Sequence, residues 1–511
     1  MGQLAQSILR VTFDPRSHDA ATAGVQLELH NGRRIHIWLS IRIVLADEAA
    51  LHSLFCYKGA GGLKCCMLCT NVYNFRYVAN REALLRIGGV DHTCSDVGEL
   101  HLMTDATIRS IMVRHSAARP IMNDCRYEDL TTKRGWRLSA LILDEVLSSK
   151  LSPTSVVMFD WMHVLFVRGV WNYHMGCLLV ALRPLGVTAS MFDAYVQAWR
   201  WPAHVGTLTG KDVFSEQRIK SCYTNQVLTC QASESLSLFP VIGNYAENGL
   251  MLNASPVIKD HARCLLHLVR VVGLIVYASR YTVAPDRMQA DIKTYLESFK
   301  AIYGPENMQP KFHQLLHMPS FLHKHGVLPN CFVLERKHRA VKRFANQIQN
   351  TSRDYSTSVL REVTCRHVAK LQLPTARHFE SDPCLIEPKT LSARVRDMLQ
   401  AEFGNGNVMV SRTARFNKWE KVSQGDLVMY QLGTSYGIGR VVLLASIADD
   451  DESAVIFMIA GATILRVRDK DITIRLSGRN FMAVADDLLH TLTWRAHGDI
   501  IVALKPWSQL R

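Results

Sequence analysis

The hydrophobic period of this chain changes twice along its length, which restricts it to folds in which a helical block interrupts sheet. Up to Asp160 the apolar residues fall in short alternating or β-branched runs, ILRVTF, VQLELH, RRIHIWLSIRIVLAD and SVVMFD. The Asn31-Gly32 pair between the second and third runs is a hairpin signal. From residue 161 to about 310 the spacing becomes helical, through HVLFVRGVWNYHMGCLLVAL, MFDAYVQAWRW, HARCLLHLVRVVGLIVYASRY and DRMQADIKTYLESFKAIYG. Trp199 and Trp201 read as core residues of that block. From about Phe416 short alternating runs return, GDLVMYQL, YGIGRVVLLAS, SAVIFMIA and TILRVRD, around the acidic loop Asp449 to Glu452, and these predict a small β-barrel. The expected class is α+β. Its parts are an N-terminal core over 1–160, a helical insertion over 161–310, a return to the core with a basic helix over 311–370, a connector over 371–415 and the barrel over 416–511.

Charge narrows the partners. Lys and Arg number 59 against 45 Asp and Glu, a net +14 over 511 residues, which favours nucleic acid first and an acidic membrane surface second. The 13 cysteines are odd in number and scattered, and MGQLAQSILRVTFD lacks a basic-then-apolar leader, so a reducing, intracellular and nuclear setting is expected. Cys264 to Ala278 is the most apolar stretch, yet it contains His267 and Arg270 and reads as a buried helix. No transmembrane segment is expected. Sheet pattern beginning almost at Met1 suggests a start inside a larger ancestral fold.

Two strand-like runs end in an aspartate, at Asp47 and Asp160, and Glu335 opens the basic helix ERKHRAVKRFAN. Such carboxylates can hold two divalent cations that activate the attacking oxygen and stabilise the leaving oxygen of a phosphodiester. The alternative is that Asp47 and Asp160 are helix N-caps. Residues 311–345 carry seven Lys and Arg against the single acid Glu335, with Arg339 and Arg343 one and two turns on. That suits a metal and phosphate site, or a solvated helix with an ordinary Glu335–Arg339 pair. In KCCMLC, Cys66 and Cys69 have the spacing of a zinc knuckle, with Cys65 and Cys56 nearby. His92 and Cys94 are the expected remaining ligands of a structural Zn²⁺, His101 is equally open, and buried inert thiols are the alternative. His163 and the run Lys311, His313, His317 either face phosphates or a metal, or are packed and capping groups.

Three islands, LADEAALHSLFCYKGAGGLKCCMLCTNVY, FDWMHVLFVRGV and KFHQLLHMPSFLHKHGVLPNCFVLERKH, resemble the CACTA-type transposases, especially their divergent protist forms. The likeness spans about residues 34–345 and rests on an acid followed by Gly-x-x-Gly and CxxC, on Asp-x-Met-His, and on the Lys-x-His, Leu-His and Glu-x-Lys-His block. It implies an RNase H-like mixed sheet interrupted by a helical insertion, using three acids and Mg²⁺ or Mn²⁺ to cut and rejoin DNA. Asp47, 19 residues before Cys66, is similar to the family's second acid, and Glu335 to its last. The first acid is expected upstream, where only Asp14 is available, or in a missing N-terminal portion; Asp160 is the alternative member. Arg336, Lys337, Arg339, Lys342, Arg343 and Lys311 are the expected phosphate contacts. Outside the likeness, GDLVMY and YGIGRVV are similar to the openings of tudor-like and bromo-adjacent homology modules, which implies a chromatin or peptide partner for the barrel, or a structural cap. The expected function is a transposase-derived DNA-binding protein with metal-dependent strand cleavage and transfer. A catalytically inactive DNA- or chromatin-binding relic and a zinc-stabilised scaffold for acidic protein are the alternatives.

Overall fold

The computed structural model describes residues 2–16, 19–28, 32–59, 62–202, 205, 212–332, 361–366, 383–390, 407–416, 421–448, 453–468 and 470–506. They divide into one unit of Met1–Val180, Cys222–Ala232 and Cys264–Val333, and another of Ala181–Ser221, Ser233–Arg263 and Leu334–Arg511. The class is mixed α and β.

The first unit opens on a helix, α1 (Gly2–Phe13), where the alternation in ILRVTF predicted a strand. The cause is tertiary: Gln6 and Arg10, four residues apart on one helical face, both donate to Asp144 Oδ2, at 2.5 and 2.6 Å. The hairpin that Asn31-Gly32 predicted is present, β1 (Val25–Glu28) pairing antiparallel with β2 (Arg34–Ile37), and Gly32 takes the positive φ of +73° that the turn demands. Next come two short strands that meet in parallel, β3 (Val44–Ala46) and β4 (Val157–Phe159), with Ala46 opposite Phe159. Each ends in an aspartate that starts a helix, Asp47 before α2 (Glu48–Phe55) and Asp160 before α3 (Trp161–Phe166).

Helices then predominate. In the first unit α4 (Val170–Leu182), α6 (Pro285–Tyr303) and α7 (Pro310–Leu315) bury Leu178, Tyr295, Phe299 and Phe312 completely or almost so. Each such side chain contributes about 1.5–3 kcal/mol of burial. The stretches Trp161–Leu185 and Pro256–Ala278 are long and apolar enough to cross a membrane, and 72% and 61% of their apolar windows are buried inside protein. A close backbone approach ties α4 to the segment after Cys222. Leu228 N donates to Asn172 O at 3.0 Å, and Asn172 Nδ2 donates to Leu228 O at 2.9 Å.

In the second unit the expected barrel is replaced by an open antiparallel sheet of nine strands. They are β5 (Lys389–Thr390), β6 (Asn407–Ser411), β7 (Leu427–Leu432), β8 (Ser435–Ala448), β9 (Ser453–Val467), β10 (Asp471–Val484), β11 (Leu488–Leu492), β12 (Trp494–His497) and β13 (Ile500–Leu504). The order is β11-β7-β8-β9-β10-β13-β12, with β6 on β8 and β5 on β6. Closure would require β11 to pair with β12, and no such pair exists among the described strands. Local alternation predicts strands; closure depends on which edges meet. Strand β7 is buried on both faces: Leu427 and Met429 join a core with Ile438, Ile472 and Trp494, while Val428 and Tyr430 join another with Val441, Phe457 and Leu488. Reciprocal stacks bind α5 (Ala189–Gln197) and the residues after it to this sheet. Arg200 lies over Trp494 at 5.1 Å, and Arg495 lies over Tyr195 and Trp199 at 4.8 and 5.2 Å.

Gly176 tests the helix packing. A Cβ there would sit 2.1 Å from Gln226 O and 2.5 Å from Val227 N, both backbone atoms that cannot turn aside. Gly176→Ala is expected to destabilise the first unit by about 1–3 kcal/mol, read as a lower urea midpoint with an unchanged slope. An unchanged midpoint rejects this packing.

Candidate metal centre

Cys66 and Cys69 lie on the loop after α2, and the backbone holds that loop on both sides. Arg137 N donates to Cys56 O at 2.8 Å and Lys58 N to Gly135 O at 2.9 Å, with the Tyr57 ring edge-on to Trp136 at 4.9 Å. Tyr57 Oη donates to Lys64 O at 2.6 Å. Beyond the knuckle, Met103 N donates to Leu68 O and Thr70 N to His101 O, each at 2.8 Å. Leu68 N donates to Cys66 Sγ at 3.4 Å, which brings Cys69 back beside Cys66.

The partners come from the other end of the unit. Pro310 opens α7, where its missing N–H costs nothing, and Phe312 packs against Phe299 at 4.8 Å. The next helix, α8 (Met318–His325), stops at Gly326 in the left-handed conformation. His313 and His317 straddle the junction four residues apart, so their rings share one side. Cys66 Sγ lies 3.4 Å from His317 Nε2, Cys69 Sγ lies 3.5 Å from both His313 Nε2 and His317 Nε2, and the two Nε2 atoms are 3.2 Å apart. All four residues are buried, and their donor atoms lie within 4.8 Å of one another. Around a tetrahedral Zn²⁺, with Zn–S of about 2.3 Å and Zn–N of about 2.0–2.1 Å, neighbouring donors fall roughly 3.3–3.8 Å apart. The observed spacings fit that ion.

The charges fit as well. Burial opposes a thiolate at Cys66, but the Cys69 hydrogen bond and the neighbouring His317 and His313 outweigh it and hold Cys66 well below the usual thiol range. The same hydrogen bond, with burial, pushes Cys69 up. Burial pushes His313 down, toward the neutral imidazole a cation takes, and its Nδ1 is buried without a hydrogen-bond partner. Cys65 is buried beside the knuckle, its thiol pushed up by burial, and is no member of the cluster.

His92 and Cys94, the expected third and fourth ligands, are held elsewhere. His92 bonds Asp91 Oδ1 through Nδ1 at 2.8 Å and Met308 O through Nε2 at 3.2 Å, and Cys94 Sγ donates to Asp96 O at 3.3 Å. His313 and His317 take their place. Sequence spacing offered the pair as a phosphate or metal contact, but nothing in it linked them to a CxxC some 250 residues away.

Of the expected acids, two follow neighbouring strand ends. Ala46 and Phe159 pair in parallel, so Asp47 and Asp160 leave adjacent strand ends side by side. Both also cap helices, the alternative reading of the sequence. Asp47 Oδ1 accepts from Ala50 N at 2.6 Å; Asp160 Oδ2 accepts from His163 N at 3.2 Å and from His163 Nδ1 at 2.5 Å, and its Oδ1 from Cys331 N at 3.0 Å. Asp14 follows a helix instead of a strand and pairs with Arg16 at 2.8 Å. Lys311 donates to His163 O at 3.0 Å and Val167 O at 2.5 Å, closing the C-terminal end of α3. Burial pushes its amine down, against the pull of Glu48 and Asp47. Glu335, Arg336, Lys337, Arg339, Lys342 and Arg343 lie outside the described residues.

The chain matches no family model, no curated protein and no solved structure. A cleft of about 1060 Å³ beside α1 offers little, because its cations are already paired, Arg10 with Asp144 at 2.6 Å and Arg16 with Asp14.

The Asp91–His92 contact has a measurable consequence. Burial pushes the Asp91 carboxyl up, but the His92 hydrogen bond and charge and the Phe75 amide outweigh it and hold the group at about 2, below the ordinary 3.8. Its stabilisation is full above pH 3.8 and is lost as pH falls through about 2. Asp91→Asn should lower stability at neutral pH, and its gap from the parent should narrow across that window. A gap constant with pH counts against the contact.

Proposed function

We propose that this chain is a transposase-derived DNA-binding protein on an RNase H-like core, in which Asp47, Asp160 and Glu335 hold divalent cations for strand cleavage and transfer. The observation that carries the reading is the parallel pair β3–β4, whose register brings Asp47 and Asp160 out together beyond the strand ends. Two carboxylates so disposed suit a cation that activates an attacking oxygen and stabilises a leaving one. Mg²⁺ or Mn²⁺ is the cation the resemblance implies. Zn²⁺ at Cys66, Cys69, His313 and His317 would act as a structural staple, since four protein ligands leave no position for substrate. The nucleus is the compartment this reading implies.

A non-catalytic DNA-binding relic is the second reading, and one observation favours it. The Asp160 carboxylate is fully buried and already accepts three hydrogen bonds from protein.

DNA binding and cleavage by the full chain separate the readings. Five basic residues over 336–343 should give a slope of log affinity on log salt of about −4.5, and Arg339→Ala with Arg343→Ala should reduce it by about 2. Asp47→Asn and Asp160→Asn should each lower Mn²⁺- or Mg²⁺-dependent cleavage by about 100-fold or more with binding intact. Salt-dependent binding without cleavage selects the relic, and absence of salt-dependent binding sinks both.

The staple has its own readout. Cys69→Ser should lose about one zinc per chain, and a chelator should lower the Tm of the parent by more than it lowers that of the variant. A parent indifferent to chelation and free of zinc rejects the staple.

A further inference from the structure

We infer that Asp160, His163 and Cys331 form a second metal site, one that takes a thiophilic divalent cation, Zn²⁺ first, and leaves a coordination position open. This rests on the proposed function only in taking the Asp160 carboxylate as a metal ligand, and it puts Zn²⁺ there in place of Mg²⁺ or Mn²⁺.

Three donor types from two parts of the chain converge here. One ligand atom from each residue lies within 4.8 Å of the others. Asp160 and Cys331 are 1% and 4% exposed, while the His163 side chain is 15% exposed and so gives the cluster a solvent side. The encounter is built into the fold. Asp160 Oδ1 accepts from Cys331 N at 3.0 Å, Trp161 Nε1 donates to Leu328 O at 3.0 Å, and Leu328 N donates to Ala278 O at 3.0 Å. The loop carrying Cys331 is thus anchored at the residues that open α3.

Charge and donor softness select the occupant. An aspartate and a thiolate balance a divalent cation, and a neutral imidazole adds no charge, so the loaded site is neutral where burial penalises any excess. Mg²⁺ demands an octahedron of oxygens and retains water, whereas thiolate with imidazole favours Zn²⁺ and its neighbours. Binding places the cation where the 2.5 Å Asp160–His163 hydrogen bond now lies. The Nδ1 proton and the Cys331 thiol proton both leave for solvent, Nε2 keeps or takes up one proton so that the bound imidazole is neutral, three metal–ligand bonds form, and no electrons are exchanged. Three protein ligands and a vacant fourth position are the arrangement of a reactive zinc, in contrast to the closed set at Cys66, Cys69, His313 and His317. An oxygen ligand, water or a phosphate oxygen, is what the open position would take.

The test is metal content of the full chain purified in Zn²⁺ and dialysed, with Co²⁺ substitution as the spectroscopic readout. The parent should hold about two zinc ions per chain; Cys331→Ser and His163→Ala should each retain about one, and Cys69→Ser should lose the other. Cys331→Ser should also reduce the thiolate-to-Co²⁺ absorption by about a third, three sulfur ligands becoming two. A single zinc abolished by Cys69→Ser, or a Co²⁺ spectrum indifferent to Cys331→Ser, overturns the inference. If the variants misfold, the parent spectrum decides, by the intensity of two thiolates or of three. Two zinc ions in the parent, one of them lost on Cys331→Ser, in a chain that ignores DNA would retain this site and remove the DNA reading. Mg²⁺-dependent cleavage by a chain with one zinc would do the reverse.

Discussion

The closure of Cys66 and Cys69 on His313 and His317 is the constraint on which the first unit depends. Cys66 and His317 are 251 residues apart, and the intervening chain leaves the unit and re-enters it more than once. A loop of that length is entropically expensive to close, and a cross-link across it removes on the order of 5 kcal/mol of freedom from the unfolded chain. Hydrophobic packing of α7 on α6 supplies part of the compensation. The four donors add a second constraint, because four buried polar side chains at such short range are unfavourable unless something neutralises them.

The same architecture explains why the two strand-end aspartates can be read in two ways. A three-residue strand that turns directly into a helix needs an N-cap, and an aspartate at that position accepts the orphan amides of the first turn. A metal ligand at a sheet edge needs an aspartate at the same position. One sequence feature therefore serves both structure and chemistry, and only the neighbours separate them. Asp47 stands with one donor on it, whereas Asp160 is enclosed by His163 and Cys331. That asymmetry is why Asp160 is the acid whose surroundings carry further chemistry.

In the second unit the decisive feature is the two-faced burial of β7. The usual alternation would leave every other residue to solvent, but Leu427, Val428, Met429 and Tyr430 are all buried, their alternate side chains feeding two cores. Long strands with register shifts at Val441/Leu443 and Ala460/Ala462 bend the sheet without closing it. Two tryptophans of this unit are engaged within it, Trp494 under Arg200 and Trp199 under Arg495.

Short-range features were legible in the sequence by itself. The Asn31-Gly32 hairpin, the buried strand ending at Asp160, the helical block after it, the later strands and the CxxC half of the metal cluster all follow from periods and turn chemistry, because these act over a few residues. What only the tertiary structure decided was long-range: that Gln6 and Arg10 find Asp144 and make residues 2–13 a helix, that β11 and β12 do not meet, and that His313 and His317, in place of His92 and Cys94, complete the cluster. The reason is physical. Local propensity fixes which way a side chain points along its own element, but which elements meet is settled by burial and closure across hundreds of residues, and a ligand set belongs to that second level.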